Sequence, residues 1–155
     1  MLREHPNGLH HQLTYDAANR LSKIKDDFGH ALTFTYDSVG RMSGMTTPTS
    51  TVTYGYDSFG NLSTVTKVAG NQTSVRTYLY DDTRFNYALT GIKDENGVRY
   101  ASWSYNDDLN AISSEHAGGV ALTNINYRQS SSVEIINPLG HRRELNFSLH
   151  NGQLQ

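Results

Sequence analysis

Aspartate is the residue type of this chain whose spacing could support chemistry. It directly follows a tyrosine at four positions, which are Asp16, Asp37, Asp57 and Asp81. Carboxylates act as general acids and bases in enzymes, and they are ligands of hard cations such as Ca²⁺. A catalytic centre needs its groups once, however, and these aspartates recur every 20 to 24 residues. The recurrence therefore favours a repeated structural role.

The aspartates belong to a longer phrase that is written three times with little change. It reads YDAANRL at 15–21, YDSVGRM at 36–42 and YDSFGNL at 56–62. Asp57 can fold its carboxylate back onto backbone N–H groups of a turn. Gly60 stands four residues after the tyrosine, where such a turn needs a positive φ. Asn19 has the same position in its copy, and asparagine is, after glycine, the residue that best tolerates a positive φ. The phrase predicts a strand that ends at the tyrosine, followed by a turn that the aspartate caps.

A second turn phrase stands between copies of the first. It reads HPNG at 5–8, DDFG at 26–29, DENG at 94–97 and NPLG at 137–140. The residues to which the two phrases assign a structural role are Tyr15, Asp16, Asn19, Tyr36, Asp37, Gly40, Tyr56, Asp57, Gly60, Tyr80, Asp81, Tyr105, Tyr127, Gly8, Gly29, Gly97 and Gly140. Two alternating turn phrases predict hairpin after hairpin.

The segments before each aromatic residue alternate with a period of two, as in Leu32, Phe34 and Tyr36, and helical periodicity is absent. The sequence therefore predicts an all-β fold of consecutive antiparallel hairpins, with the tyrosine rings on the inward face and roughly a dozen strands. A β-propeller is the architectural alternative, because two units amount to roughly one blade of 40–45 residues.

The outgoing strands carry apolar residues three apart instead of two. The pairs are Leu21 and Ile24, Met42 and Met45, Leu62 and Val65, Leu89 and Ile92, and Val133 and Ile136. A spacing of three places both residues on one face only if the strand contains an extra residue. The pattern therefore predicts a β-bulge, or a first residue still in the turn, in each of these strands.

Composition excludes several classes of function. The net charge of −2 argues against a nucleic-acid surface, and the absence of cysteine excludes a disulfide framework. No apolar run is long enough to span a membrane, and the first residues lack the apolar core of a signal peptide. The seven histidines show no metal-ligand spacing, and His11 alone lies on an inward alternation. We predict no catalytic residue, no metal and no cofactor.

The repeated phrases resemble the YD repeats of the RHS (rearrangement hot spot) family. The resemblance rests on the three copies of the first phrase, on LTGIKDENGVRYASWSYNDD at 89–108 and on NPLGHRRELNF at 137–147, and it covers essentially the whole chain. It implies a curved or spiral sheet that is part of a β-shell, in which bacterial members enclose a C-terminal toxin domain. The aspartyl self-cleavage motif of the family is not recognisable, since Asn137 stands where that motif has aspartate.

The resemblance also sets expectations for organisation and partners. We expect residues 1–155 to be a single run of about six repeats that begins and ends in mid-repeat, as a fragment of a larger shell. The expected partners are the rest of the shell and the enclosed toxin, and open sheet edges favour self-association. The parent protein would be secreted or lie at the cell surface. A carbohydrate-binding or adhesion module with exposed aromatic residues is the alternative function.

Overall fold

The computed structural model describes the backbone of residues 2–4, 8–128, 131–147, 149–150 and 153–154, and the side chains of 8–128 and 131–147. The chain divides into two compact units, Met1–Arg76 and Thr77–Gln155. Strands make up almost all regular structure in the described part, and a single 3-10 turn, Ala117–Gly119, is the exception. The all-β prediction is confirmed.

The first unit consists of strands that pair in chain order, each antiparallel to the next. They are β1 (Leu2–Glu4), β2 (His10–Tyr15), β3 (Leu21–Asp26), β4 (Ala31–Tyr36), β5 (Met42–Thr46), β6 (Thr51–Tyr56) and β7 (Leu62–Ala69). Strand β8 (Gln72–Leu79) begins in this unit and ends in the second.

The second unit repeats the same organisation after β8. Its strands are β9 (Gly91–Lys93), β10 (Arg99–Tyr105), β11 (Ala111–His116), β12 (Val120–Arg128), β13 (Ser132–Ile136) and β14 (Arg142–Asn146). Two short strands, β15 (Leu149–His150) and β16 (Gln153–Leu154), form a separate hairpin.

This strand order is not that of a β-propeller. A propeller blade has four strands, after which the chain leaves the sheet and starts the next blade. In the first unit, β1 to β7 pair successively without such a break, and in the second β9 to β14 do the same. The propeller alternative is therefore wrong, and the consecutive hairpins predicted from the turn phrases are confirmed.

The two faces of the sheet differ as the alternation predicts. In β4, Leu32 and Phe34 are half-buried, while Thr33 and Thr35 are exposed. Burial is shallow, however, in the described residues. Among the described apolar residues only Ala88 and Ala101 are buried, at 5% and 4% exposure. The sheet has an apolar face and a threonine-rich face, but it lacks a deep core.

The predicted bulges are present in three hairpins of the first unit. In the β2–β3 pair the partner of Thr14 is Lys23 and the partner of Tyr15 is Leu21, so Ser22 is the extra residue. The same shift occurs between β4 and β5 and between β6 and β7. Leu21 and Ile24 therefore face the same side, although they are three residues apart.

Two of the five predicted pairs do not follow this rule. The register of β12 with β13 has no shift, so Val133 and Ile136 lie on opposite faces. Leu89 precedes β9 and lies outside any strand. A further bulge that the apolar spacing does not indicate occurs in β11, where Ile112 is the extra residue opposite Ser104 and Tyr105.

Candidate functional site

The repeated turn is the best-defined polar site of the chain, and Asp57 shows its geometry. Oδ1 of Asp57 accepts hydrogen bonds from the backbone N–H groups of Phe59 and Asn61, both at 2.9 Å. Oδ2 accepts a third from the Asn61 side-chain amide at 2.8 Å. The Gly60 N–H donates to the Asp57 carbonyl at 3.1 Å, and Gly60 has a φ of 91°. This is a three-residue hairpin loop that closes with a left-handed residue.

The same turn occurs both after tyrosines of the repeat and between successive repeats. In each copy the first residue and the fifth are joined by a backbone hydrogen bond, the N–H of the fourth donates to the carbonyl of the first, and one side-chain oxygen of the first accepts two backbone N–H groups. Seven copies lie in the described residues, at 16–20, 26–30, 37–41, 57–61, 94–98, 106–110 and 137–141. The two turn phrases of the sequence are therefore one structural motif. Asn106 and Asn137 form it with an amide oxygen, so the motif does not require a negative charge.

The fourth position of the turn is left-handed in every copy. Glycine occupies it in five of the seven turns, Asn19 has a φ of 60° and Leu109 a φ of 62°. Leucine is strained in this region because its Cβ approaches the following carbonyl oxygen. Gly8 also has a positive φ, of 78°, but residues 5–7 of its predicted turn lie outside the described part of the chain.

One predicted turn cap is displaced by a residue. Tyr80 follows the end of β8, and the carboxylate that accepts a turn N–H is that of Asp82, from Arg84 at 3.0 Å. Asp81 does not take this role. Its backbone N–H donates to the Thr90 hydroxyl, and its carboxylate pairs with Arg99 at 3.3 Å. The prediction for Asp81 is therefore wrong, because this turn is longer than the others.

Four tyrosines of the repeat each connect a hairpin to the one before it. The hydroxyl of Tyr36 donates to the Leu21 carbonyl at 2.7 Å, and that of Tyr56 to the Met42 carbonyl at 2.7 Å. In the second unit, Tyr105 and Tyr127 donate in the same way to the carbonyls of Leu89 at 2.8 Å and Ala111 at 3.1 Å. In three of the four bonds the acceptor is the first strand residue after the preceding turn.

Arginine completes the connection in the first unit. The Arg41 Nε donates to Asp37 at 2.7 Å, and its guanidinium lies 4.1 Å from the centroid of the Tyr56 ring. Arg20 makes the same two contacts, to Asp16 at 2.8 Å and to Tyr36 at 4.4 Å. A cation over an aromatic face is attracted by the ring quadrupole. We call this set of turn carboxylate, arginine and next tyrosine the turn–tyrosine link.

Two of the tyrosine rings that the sequence predicts on the inward face make a contact that it does not predict. The guanidinium, not a neighbouring ring, lies against Tyr36 and Tyr56, and both rings are half-buried. Tyr15 and Tyr127 are exposed, at 42% and 44%, which corrects the expectation that every ring covers a core. Sequence reasoning did not identify the arginines, although each stands five residues after a tyrosine of the repeat.

The turn hydrogen bonds keep the aspartates ionised. The backbone N–H of Arg20 lowers the pKa of Asp16 below its ordinary value, and the Arg20 side chain adds to this effect. The Asn61 amide lowers the pKa of Asp57 in the same way. A carboxylate held in this form fixes a turn and is a poor proton donor at neutral pH. Among the described residues, no group of three or more histidine, aspartate or glutamate side chains is placed to hold a metal.

A buried glutamate in the second unit carries no signal in the sequence, where it stands between apolar residues. Glu134 on β13 is 7% exposed, and it accepts hydrogen bonds from Asn126 at 2.9 Å and Arg142 at 3.2 Å. Arg128 pairs with it at 2.9 Å. The Asn126 amide, together with the two arginines, lowers the pKa of Glu134 to about 2. The side chain therefore ties β12, β13 and β14 together on the polar face.

These features define a class of repeat protein made of consecutive β-hairpins, in which seven of the described turns are Asx turns and four tyrosines bind the preceding hairpin. Residues 15–52 match the family model described as RHS Repeat. This match confirms, for these residues, the resemblance to RHS/YD repeats that the sequence shows. No helix in the described residues is long and apolar enough to cross a membrane.

Comparison with solved structures supports the same fold. A chain of the Photorhabdus luminescens Tc holotoxin pore superposes with a TM-score of 0.64 over 99% of this chain, at 11% sequence identity. The protein spans 9% of the length of that chain. At this identity the similarity shows the fold alone. No curated protein matches the chain in sequence.

Proposed function

We propose that this chain is part of the wall of a β-shell that encloses a C-terminal toxin or effector domain and helps to deliver it. The proposal includes export of the parent protein from a bacterial cell. It rests on the RHS repeats at 15–52 and on the fold shared with a chain of a toxin complex. The residues assigned to the turns then act as structural elements of the wall.

The difference between the two sheet faces is the observation that carries this proposal. The threonine-rich face suits contact with water, and the opposite face presents half-buried apolar side chains such as Leu32, Phe34 and Tyr54. A finished soluble domain would cover that face with a second layer. A wall needs no such layer of its own, because its apolar face adjoins an enclosed polypeptide.

Protease protection in the parent protein tests this function. We expect the domain that follows the repeats to resist chymotrypsin in the native protein and to be cleaved once the turn–tyrosine link is broken by Tyr36→Ala and Tyr56→Ala together. Tyr87→Ala is the matched control, since this tyrosine is 60% exposed and lies outside that link. Enclosure would be refuted if chymotrypsin cleaved the domain that follows the repeats equally fast in the wild type, the double variant and Tyr87→Ala, at the rate of the isolated domain.

Carbohydrate binding receives less support from the tyrosines. A sugar-stacking surface needs open ring faces, and the faces of Tyr36 and Tyr56 are covered by arginine. Tyr100 is more exposed, at 53%, and packs against His116 with ring centroids 5.1 Å apart. Self-association through sheet edges stays a prediction, which sedimentation of the chain at several concentrations would test.

A further inference from the structure

A cavity of about 300 Å³ lies in the first unit, where the ends of β3 and β4 meet the turn after β5. Its lining residues are Ile24, Ala31, Leu32, Pro48, His11, Asp26 and His30. Ligand pockets begin at about this size, and they combine apolar walls with a few polar groups that fix orientation. Four of the seven residues here are apolar, and one of the polar residues, His30, bonds the Asp26 carboxylate.

The Asp26 carboxylate is held in place by its own turn. Oδ1 accepts the backbone N–H groups of Phe28 at 2.9 Å and His30 at 2.8 Å, and Oδ2 accepts the His30 ring at 2.9 Å. An ionised carboxylate offers about four acceptor positions. The three hydrogen bonds from described residues fill three of them, so Oδ2 can accept one further donor.

The residue opposite Oδ2 distinguishes this turn from its copies. Arg20 fills the equivalent position at Asp16 and gives its Oδ2 two N–H donors, Nε and a terminal nitrogen, both at 2.8 Å. His30 offers Asp26 a single ring nitrogen. The turn at 26–30 therefore has the same backbone and a less saturated carboxylate, and it lines the cavity.

The charges around the cavity favour a cation. Partial burial by itself would raise the pKa of Asp26, but the hydrogen bonds from His30 outweigh it and lower the pKa, so the group is anionic. Asp27 adds a second carboxylate at this turn, which accepts the His10 N–H at 2.7 Å and faces the His10 ring at 3.3 Å. Lys25 does not line this cavity; it alternates to the opposite face of β3 and lines a neighbouring pocket with Asp26 and Asp27.

We propose that this cavity binds a protonated amine on an apolar stem, with the ammonium donating to Asp26 and the stem packing on Ile24, Leu32 and Pro48. The ligand can be a free aliphatic or aromatic amine or the lysine side chain of another polypeptide, and both have the same chemistry. This inference is independent of the proposed wall function, which places no ligand here.

The chain supplies its own control substitutions. Asp26→Asn removes the charge and retains the turn, since Asn106 and Asn137 form the same turn. His30→Arg introduces the residue found at this position in two other copies and saturates Oδ2. Asp57→Asn makes the same chemical change in a turn that does not line the cavity. Near-identical circular dichroism spectra would establish that the three variants are folded.

Binding is measured by NMR titration with phenethylammonium, with phenylethanol as its neutral counterpart, and with a lysine blocked at both backbone ends. We expect phenethylammonium to shift the ring signals of His11 and His30 and the methyl signals of Leu32. Asp26→Asn should weaken this binding about tenfold, which is about 1.4 kcal/mol, because charge-assisted hydrogen bonds are about twice as strong as neutral ones.

His30→Arg should weaken phenethylammonium binding at least as much, while Asp57→Asn should leave it unchanged. Binding of phenylethanol should change less than twofold in every variant. If the blocked lysine binds as well as the free amine, the natural source is a polypeptide, and if it does not, the source is a small amine. Equal affinity of the wild type for phenethylammonium and phenylethanol, or shifts that avoid the cavity residues, would overturn the proposal.

Discussion

Removal of the Tyr56 hydroxyl and then of its ring separates the contributions of the turn–tyrosine link. The hydroxyl makes one hydrogen bond, to the Met42 carbonyl at 2.7 Å, and Tyr56→Phe deletes only this bond. A net hydrogen bond stabilises a protein by about 1 kcal/mol. Because one kcal/mol shifts the Tm of a chain of this length by about 2–4 °C, we expect a Tm about 3 °C lower for Tyr56→Phe.

Tyr56→Ala also removes the half-buried ring and its contact with Arg41. Burial of a whole aromatic side chain contributes about 1.5–3 kcal/mol, so half-burial contributes about 1 kcal/mol. The guanidinium 4.1 Å above the ring adds about 0.5 kcal/mol at an exposed site. With the hydroxyl, the loss is about 2.5 kcal/mol, which is less than the 3–5 kcal/mol typical of deeply buried aromatic residues.

Urea denaturation of both variants measures these differences, with Tyr15→Phe as the control. Tyr15 is 42% exposed, and its ring is not stacked under an arginine of a preceding described turn. We expect Tyr15→Phe to be neutral within about 0.5 kcal/mol, as is usual for surface substitutions. Equal losses for Tyr15→Phe and Tyr56→Phe would refute the hydrogen bond as the cause, and a neutral Tyr56→Ala would refute the link altogether.

Four further outcomes follow from the turns and bulges. Gly55→Ala should cost about 1–3 kcal/mol, because its Cβ would overlap the Thr64 hydroxyl, and Thr64→Ala in the same chain should restore stability in a thermal melt. Leu109→Gly should stabilise by about 1 kcal/mol, since it relieves a left-handed leucine; a lower Tm would contradict this. The Asn61 amide lowers the pKa of Asp57 in the folded protein. The Asp57 carboxylate therefore contributes its full stability above its pKa in the unfolded chain, about 4, and loses it as the pH falls through the lower pKa of the folded protein. Between about pH 6 and about pH 3, Asp57→Asn should lose less stability than the wild type in urea titrations. Dialysis against a chelator should leave the melting curve unchanged, and a large downward shift would reveal an unrecognised metal site.

Local sequence patterns were sufficient to predict most of the hairpins. Alternation before each aromatic residue predicts the strands, and the pair Leu21 and Ile24 predicts the bulge that the register confirms. Both features depend on neighbours along one strand or across one turn. They fail where the turn changes length, as at Asp82, because the register downstream then depends on which residue starts the loop.

The contacts between hairpins were not predictable by the same rules. Arg41 and Tyr56 are far enough apart in sequence that no turn or strand pattern relates them, and the contact appears only when β5 and β6 are paired. Glu134 is a second case, since a charged residue between apolar neighbours gives no sign that Arg128 and Arg142 flank it. Prediction from one sequence therefore stops at the hairpin.

The turn motif explains why the repeat tolerates its own degeneration. The two backbone bonds and the two N–H groups on one side-chain oxygen are common to aspartate and asparagine, so Asn106 maintains the hairpin without a charge. Among the described turns, those at 16–20 and 37–41 add the arginine link to a following tyrosine. A turn can thus lose its link and keep its shape. In the turn at 26–30, His30 stands in place of the arginine, so Oδ2 of Asp26 keeps an acceptor position open. This oxygen belongs to the carboxylate that lines the cavity proposed to bind an amine.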